Sequence, residues 1–345
     1  DMKNLVFFIL VSAGLFADGI SSEIDIHLPR SFDSLGPTVK SLTTTNVRKV
    51  HYIDDGEIDW LPVVFTGGLG TSVRVIRLLD FLRTMREGLK IRIISVERNG
   101  FGQTAYDSTL DMTSFSEDVE AVLELLNIKK FALFGISGGG PYTAKIANRN
   151  PKRILSVHMA ATSPSIGSAE RCEGDQLLSV YRDMLRYPMQ FFAFSKSSPM
   201  QQVDGFQDTA FDEAARAHNL RGQQADPAPL DHETELYCRE GEIDSSAVKA
   251  PVYIYRGLAD AILGNEDPSV WQQAYPNAKL TIRSYPGEGH DVQYRHLDQI
   301  LLDIRGYGDK ILLCQDEKNK MVNPNSSGEL ITLGATFGLC AWNRL

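Results

Sequence analysis

"FALFGISGGGPYTAKIANR", Phe131–Arg149, holds an apolar run, then one serine ringed by glycines, then an alanine-bearing segment. A short apolar run bounded by glycine reads as a buried strand, and Pro141 to Asn148 reads as a helix. The glycines either close a tight turn or close a turn whose purpose is to present Ser137. Gly135-Ile136-Ser137-Gly138-Gly139 fits G-x-S-x-G. At average glycine and serine usage that pattern arises by chance in roughly one chain of this length in ten, so alone it is weak. Its place between strand and helix gives it weight. A nucleophile elbow needs small residues on either side of a strained serine, so that strand and helix can close. The hydroxyl then stands at the strand's C-terminal edge beside a helix N-terminus, where ligands collect in open α/β sheets.

The flanking sequence repeats the same rhythm. "VRKVHYIDDG", "LPVVFTGGLG", "IRIISV" and "RILSVHMA" read as strands. Leu78, Leu79 and Leu82 recur at helical spacing between Ser72 and Arg86. Val119, Val122, Leu123 and Leu126 make an apolar stripe behind Ser116, which reads as an N-cap. From about Ser163 to Val248 no strand of comparable strength occurs. The rhythm resumes with "PVYIYRG", a helix near Ser269 to Ala274, "AKLTIRSYPGEGH" and a helix from Val292 to Ile304. Continuous apolar strands alternating with amphipathic helices predict one mostly parallel α/β sheet with helices on both faces, interrupted by a helical insertion.

A serine hydroxyl is a poor nucleophile near neutral pH and needs a base oriented by a third group. His290, which ends "SYPGEGH" after the last strand, is the candidate base among seven histidines. Asp260, in "YRGLADAIL", follows the preceding strand through a glycine-bearing turn and is the candidate that orients the imidazole. Singly, Asp260 reads equally well as a turn or cap residue and His290 as a loop residue. Falling together, each just past a strand, Ser137, Asp260 and His290 read as a catalytic set. A developing oxyanion needs two backbone N–H donors. One is expected from Gly138 and the other from Gly68 in "TGGLG", with Leu69 as the alternative.

With these residues in hand the chain resembles the α/β-hydrolase superfamily over about Val47 to Arg305. "VHYIDDG…LPVVFTGG", "ERNGFGQT", "GISGGGP", "PVYIYRGLAD" and "GEGH" stand in that family's order. The order Ser, Asp, His is also that of the elbow-bearing hydrolases. The resemblance implies residues 22–162 and 249–306 as two halves of a hydrolase core and 163–248 as a cap over the site. Tyr187, Met189, Phe191, Phe192, Phe194 and Met200 of that cap either line an apolar acyl pocket or form the cap's own core. Two departures stand out. The His-Gly pair that often follows the third strand is Thr66-Gly67 here, which loses a side chain that commonly braces the oxyanion loop. The loop that often reads Asp-x-Pro-Gly or Asp-x-Arg-Gly is Glu97-Arg98-Asn99-Gly100. A serine at the elbow argues against the dehalogenase and epoxide hydrolase branches, which use a carboxylate. The expected activity is hydrolysis of a small carboxylic ester or lactone with an apolar group. Amide or peptide cleavage, perhydrolysis, or ligand reception on a vestigial site are the alternatives.

The rest of the chain bounds this reading. A net charge of −9 argues against nucleic acid or an anionic membrane as partner, since both need a basic face. No His/Cys cluster has zinc-site spacing and no G-x-x-x-x-G-K loop occurs, so neither metal nor cofactor is expected. Residues 1–21 carry Lys3, an apolar stretch from Leu5 to Phe16 and then small residues, the order of a cleaved export signal. That stretch is too short to span a bilayer comfortably, so no stable membrane insertion of the mature chain is expected. A buried N-terminal element is the other reading. Four cysteines allow three pairings. Local pairing, Cys172 with Cys238 and Cys314 with Cys340, fits an oxidising compartment and a secreted protein, with free buried thiols as the alternative. Asn325 in "NSS" is a glycosylation acceptor if the chain passes through a eukaryotic secretory pathway. Residues 307–345 form an extension that reads as strand, polar loop, strand, a candidate stapled hairpin.

Overall fold

A computed structural model describes residues 36–168, Cys172 and 227–343. The expected apolar runs form the middle of one eight-stranded sheet. Its strands are β1 (Lys40–Thr43), β2 (Lys49–Asp55), β3 (Leu61–Thr66), β4 (Ile91–Val96), β5 (Phe131–Ile136), β6 (Ile154–Ala160), β7 (Val252–Gly257) and β8 (Leu280–Tyr285). The spatial order is β1-β2-β4-β3-β5-β6-β7-β8. The first two strands pair antiparallel, and every pair from β4 to β8 is parallel. Every residue of β4 and β5 is buried, as central strands covered on both faces must be.

Helices cover both faces. A 3₁₀ stretch at Val73–Leu82 runs into α1 (Arg83–Gly88), and with Val292, Leu297, Ile300 and Leu301 it packs on one face. On the other face α2 (Met112–Leu125) and α3 (Gly139–Arg149) bury Val119, Val122, Leu123, Ile146 and Ala147. The α2 N-cap is Asp111, not Ser116. The Asp111 carboxylate accepts from the Ser114 N–H at 2.7 Å, and the Ser114 hydroxyl accepts from the Asp111 N–H. Met112 and Phe115 extend the apolar stripe one turn earlier, so Ser116 lies inside the helix and donates to the Met112 carbonyl. The short edge strand β1 escapes sequence reasoning because only four residues pair.

Beyond α4 (Ala228–Glu240), α5 (Ser269–Ala274), α6 (Val292–Arg295) and α7 (Leu297–Leu302), the chain builds a second, three-stranded sheet. Here β9 (Ile311–Gln315) pairs antiparallel with β10 (Lys318–Val322) and with β11 (Thr336–Phe337). The tail is therefore more than strand, loop and strand. The hairpin turns tightly at Asp316 and Glu317, both at positive φ, and α8 (Pro324–Thr332) follows, started by a proline at its first turn. Disulfides join Cys172 to Cys238 and Cys314 to Cys340. The second fastens β9 to α9 (Cys340–Asn343) and does not staple the two hairpin strands together.

Buried polar groups fix this tail to the core. Gln299 accepts from the Leu312 N–H at 2.8 Å, and Asp298 from the Leu339 N–H at 2.7 Å. Arg283 and Asp303 form a buried bidentate pair beneath them. Tyr255 donates to the same carboxylate at 2.7 Å, and its oxygen lies 2.9 Å from His158 Nδ1. His158 is fully buried, and burial together with the Arg283 charge pushes its pKa down to about 3. It is a neutral structural histidine.

Candidate active site

Ser137 sits where β5 meets α3, at φ +50°, a left-handed conformation a serine adopts only when its surroundings impose it. The surroundings are visible in the two outer glycines. A Cβ on Gly135 would lie 2.3 Å from Thr143 Oγ1, and one on Gly139 2.3 Å from the Thr66 carbonyl oxygen. Strand, helix and the end of β3 thus approach too closely for any side chain at either position. The Ser137 N–H donates to Ala160 at 2.9 Å, which ties the elbow to the neighbouring strand β6.

The loops after β7 and β8 bring the other two side chains to it. Asp260 Oδ1 accepts from the N–H groups of Ile262 and Leu263 at 2.9 and 3.0 Å. Its Oδ2 lies 2.8 Å from His290 Nδ1, and His290 Nε2 lies 2.9 Å from Ser137 Oγ. Burial pushes the Asp260 carboxyl up, but the His290 contact and the two N–H donors outweigh it and hold it below the ordinary range. An ionised Asp260 accepts the Nδ1 proton, which leaves the Nε2 lone pair facing the serine hydroxyl. The Ala259 N–H donates to the Glu288 carbonyl at 2.8 Å, so the two loops are fastened to each other. Glu288 also binds His296, which stacks on Tyr285.

No other described histidine competes for the serine. His51 contacts Thr104, His158 contacts Ser156 and Tyr255, His232 contacts the Leu110 carbonyl and His296 contacts Glu288. His27, His218 and the pocket candidates from Tyr187 to Met200 lie outside the described residues. Among the described residues no group of three His, Cys, Asp or Glu side chains could hold a metal, and no helix is long and apolar enough to cross a membrane.

The loop after β3 lies over the elbow. A Cβ on Gly68 would sit 3.6 Å from Ser137 Cβ, and one on Gly138 only 2.8 Å from the Leu69 nitrogen. Among the described residues, neither the Gly68 nor the Gly138 N–H donates to a backbone acceptor. The Gly68 loop thus lies beside Ser137, and Gly138 follows the serine directly in the chain. Sequence reasoning missed what holds them. Arg98, from the loop after β4, donates to the carbonyls of Gly67 (2.9 Å) and Gly68. Its Nε faces the Glu233 carboxylate of α4, and Glu233 in turn accepts from the Gly70 N–H at 2.7 Å. Tyr237, one turn further along α4, donates to the Gly138 carbonyl at 2.6 Å. The "ERNG" departure was the available signal for Arg98. Nothing in sequence announced Glu233 or Tyr237.

The family model of the alpha/beta hydrolase fold matches residues 62–331, and the chain belongs to that family. The match continues past Gly306 into the tail. The chain is similar to the non-heme chloroperoxidase of Streptomyces lividans, with 24% identity over 278 residues, 77% of this chain and 98% of the relative. Among solved structures, a hydrolase from Pseudomonas aeruginosa PA01 is similar at TM-score 0.61 and 15% identity, covering 79% of this chain and 99% of its own. An esterase from Exiguobacterium antarcticum is similar at TM-score 0.59 and 17% identity, covering 79% and 99%. At these identities the structural likeness speaks to fold.

Proposed function

We propose that this protein hydrolyses small carboxylic esters or lactones through an acyl-enzyme on Ser137. The observation that carries the proposal is the unbroken hydrogen-bond chain from Asp260 through His290 to Ser137. In this reading Ser137 Oγ attacks the substrate carbonyl carbon while His290 Nε2 takes its proton, and Asp260 stabilises the imidazolium that forms. The N–H groups of Gly138 and Gly68 face the tetrahedral oxyanion. His290 then protonates the leaving alkoxide. Water attacks the acyl-enzyme with His290 as base, releasing the acid and restoring the serine. These steps use only the chain's own groups and water.

Esters are favoured over amides because an alkoxide leaves more readily than an amine, and an esterase stands among the structural neighbours. The chloroperoxidase relative favours one second reading, in which hydrogen peroxide replaces water at the acyl-enzyme and a peracid leaves. Acid-dependent, peroxide-dependent halide oxidation separates the two. The disulfides support export into an oxidising compartment, and with it removal of residues 1–21. The test of the main reading is fluorophosphonate labelling with mass-spectrometric mapping. Label on Ser137, lost in Ser137→Ala, is the expected result. A folded wild type that takes up no label would sink the proposal.

A further inference from the structure

Resting on that hydrolytic reading, we infer that Arg98, held by Glu233, is a positioning residue that aims the oxyanion-binding Gly68 N–H from behind. The loop Thr66-Gly67-Gly68-Leu69-Gly70 has three glycines in five residues, so its backbone has little preference of its own. Its direction must come from outside. In a trans peptide the C=O and N–H point opposite ways, and the described chain has no cis bond. A guanidinium that draws the Gly67 carbonyl to one side therefore turns the Gly68 N–H to the other. By the same geometry, its contact with the Gly68 carbonyl sets the Leu69 N–H. Thr71 supports the second carbonyl, its hydroxyl donating to Gly68 at 2.6 Å. Among the described residues, Arg98 is the hydrogen-bond donor to the Gly67 carbonyl.

Glu233 makes the clamp rigid. Arg98 and Glu233 are 4% and 2% exposed, so neither charge is satisfied by solvent. Burial works against the Arg98 charge, but the Glu233 carboxylate outweighs it and raises the guanidinium pKa. The planar fork bonds two adjacent carbonyls through Nη1 and Nη2 while its Nε stays in ion-pair contact with the carboxylate, an arrangement a lysine ammonium cannot reproduce in one geometry. The guanidinium also lies 5.0 Å from the centre of the Tyr142 ring, on the same helix that the elbow opens. Meanwhile Tyr237 fixes the peptide after Gly138 from the same α4 helix. That peptide carries the Gly139 N–H, so Tyr237 orders the elbow turn beside the Gly138 donor, while the same helix holds Arg98 through Glu233. A well-packed apolar pair commonly matches a buried ion pair in stability, so stability alone gives little reason for these charges. Orienting two carbonyls is something an apolar pair could not do.

The test compares wild type with Arg98→Lys and with the double variant Arg98→Met/Glu233→Met, which leaves no unpaired buried charge and so guards against misfolding. Sites are counted by fluorophosphonate uptake, and kcat and KM are measured on p-nitrophenyl acetate. Affinity for a trifluoromethyl ketone, which binds as an oxyanion-bearing adduct, is measured beside them. The expected result is a fall in kcat of about 100-fold per labelled site, the scale of losing one oxyanion donor, with KM within threefold. Ketone affinity should fall by a similar factor, and Arg98→Lys should not rescue. A merely structural role would lower the melting temperature and the count of active sites without moving kcat per site. A double variant that labels at one per chain and keeps kcat and ketone affinity within threefold of wild type overturns the clamp alone. A wild type that neither turns over nor labels at Ser137 overturns the hydrolase reading instead.

Discussion

Replacing Asp260 by Asn changes little in volume, yet the surrounding hydrogen bonds dictate which way the new amide faces. Oδ1 of Asp260 accepts from two backbone N–H groups, those of Ile262 and Leu263. An amide nitrogen placed there would confront two donors, so the Asn oxygen must keep that position. Its NH₂ then falls where Oδ2 now lies, 2.8 Å from His290 Nδ1. The imidazole responds by presenting a lone pair at Nδ1 and moving its proton to Nε2. That proton now points at Ser137 Oγ, 2.9 Å away, and the nitrogen can no longer take one. Restoring the productive tautomer loses one hydrogen bond to a charged acceptor, about 2–3 kcal/mol, and sets donor against donor, about 1–3 kcal/mol more. At about 1.4 kcal/mol per factor of ten the sum, about 3–6 kcal/mol, corresponds to a loss in kcat of roughly 10²–10⁴. Initial rates on p-nitrophenyl acetate between pH 6 and 9, normalised to folded protein by circular dichroism, measure it. KM should change little, since the carboxylate does not touch substrate. An Asp260→Asn protein that folds normally and keeps more than a tenth of wild-type kcat would refute the tautomer argument.

Two further outcomes concern the fold that carries the site. Gly139→Ala drives a Cβ to 2.3 and 2.5 Å from the carbonyl oxygens of Thr66 and Gly67, which are backbone atoms with nowhere to go. A loss of about 3 kcal/mol in urea unfolding is expected, and a change under 1 kcal/mol would show that the elbow is looser than described. The second concerns acid. With a folded pKa of about 3 against an unfolded value near 6.5, His158 contributes stability that is full above pH 6.5 and is lost as pH falls toward 3. The slope is about 1.4 kcal/mol per pH unit, so about 2 kcal/mol should vanish between pH 6.5 and 5. Asp80, raised to about 6 chiefly by burial, works the opposite way, adding stability as pH falls from 6 toward 4. The comparison of wild type with His158→Gln therefore isolates the imidazole. Equal acid sensitivity in the two proteins would refute the assignment.

What the sequence disclosed is what local physics controls. Strands β4 and β5 announced themselves because a strand buried on both faces must be mostly apolar, and β3, β6, β7 and β8 through shorter apolar runs bounded by turns. The elbow did so because only glycine tolerates the approach seen at 135 and 139. Asp260 and His290 each stand just after a strand in the sequence, and the structure brings both to Ser137. The misses are equally physical. Asp111 caps α2 through a local bond that Ser116 imitates in sequence. The tail helix α8 leaves no residue fully buried, so it shows no apolar stripe to read. Glu233 meets Gly70 across 163 positions, and no periodicity encodes such a meeting.

The Thr66-Gly67 departure shows how these levels connect. Threonine at 66 does not brace the oxyanion loop. Its hydroxyl donates to the Gly139 carbonyl at 3.1 Å and meets the Thr143 hydroxyl, knitting the end of β3 to the elbow helix. The loop is left without support from its own strand. Arg98 of "ERNG" supplies that support from the next strand over, and Arg98 needs a buried counter-ion, which α4 brings in Glu233. Two departures that look independent in sequence are thus two ends of one arrangement. A consequence follows for any attempt to restore the common residue. Thr66→His alone should not improve the oxyanion loop, because Arg98 already occupies both carbonyls and an imidazole would displace the bond to Gly139.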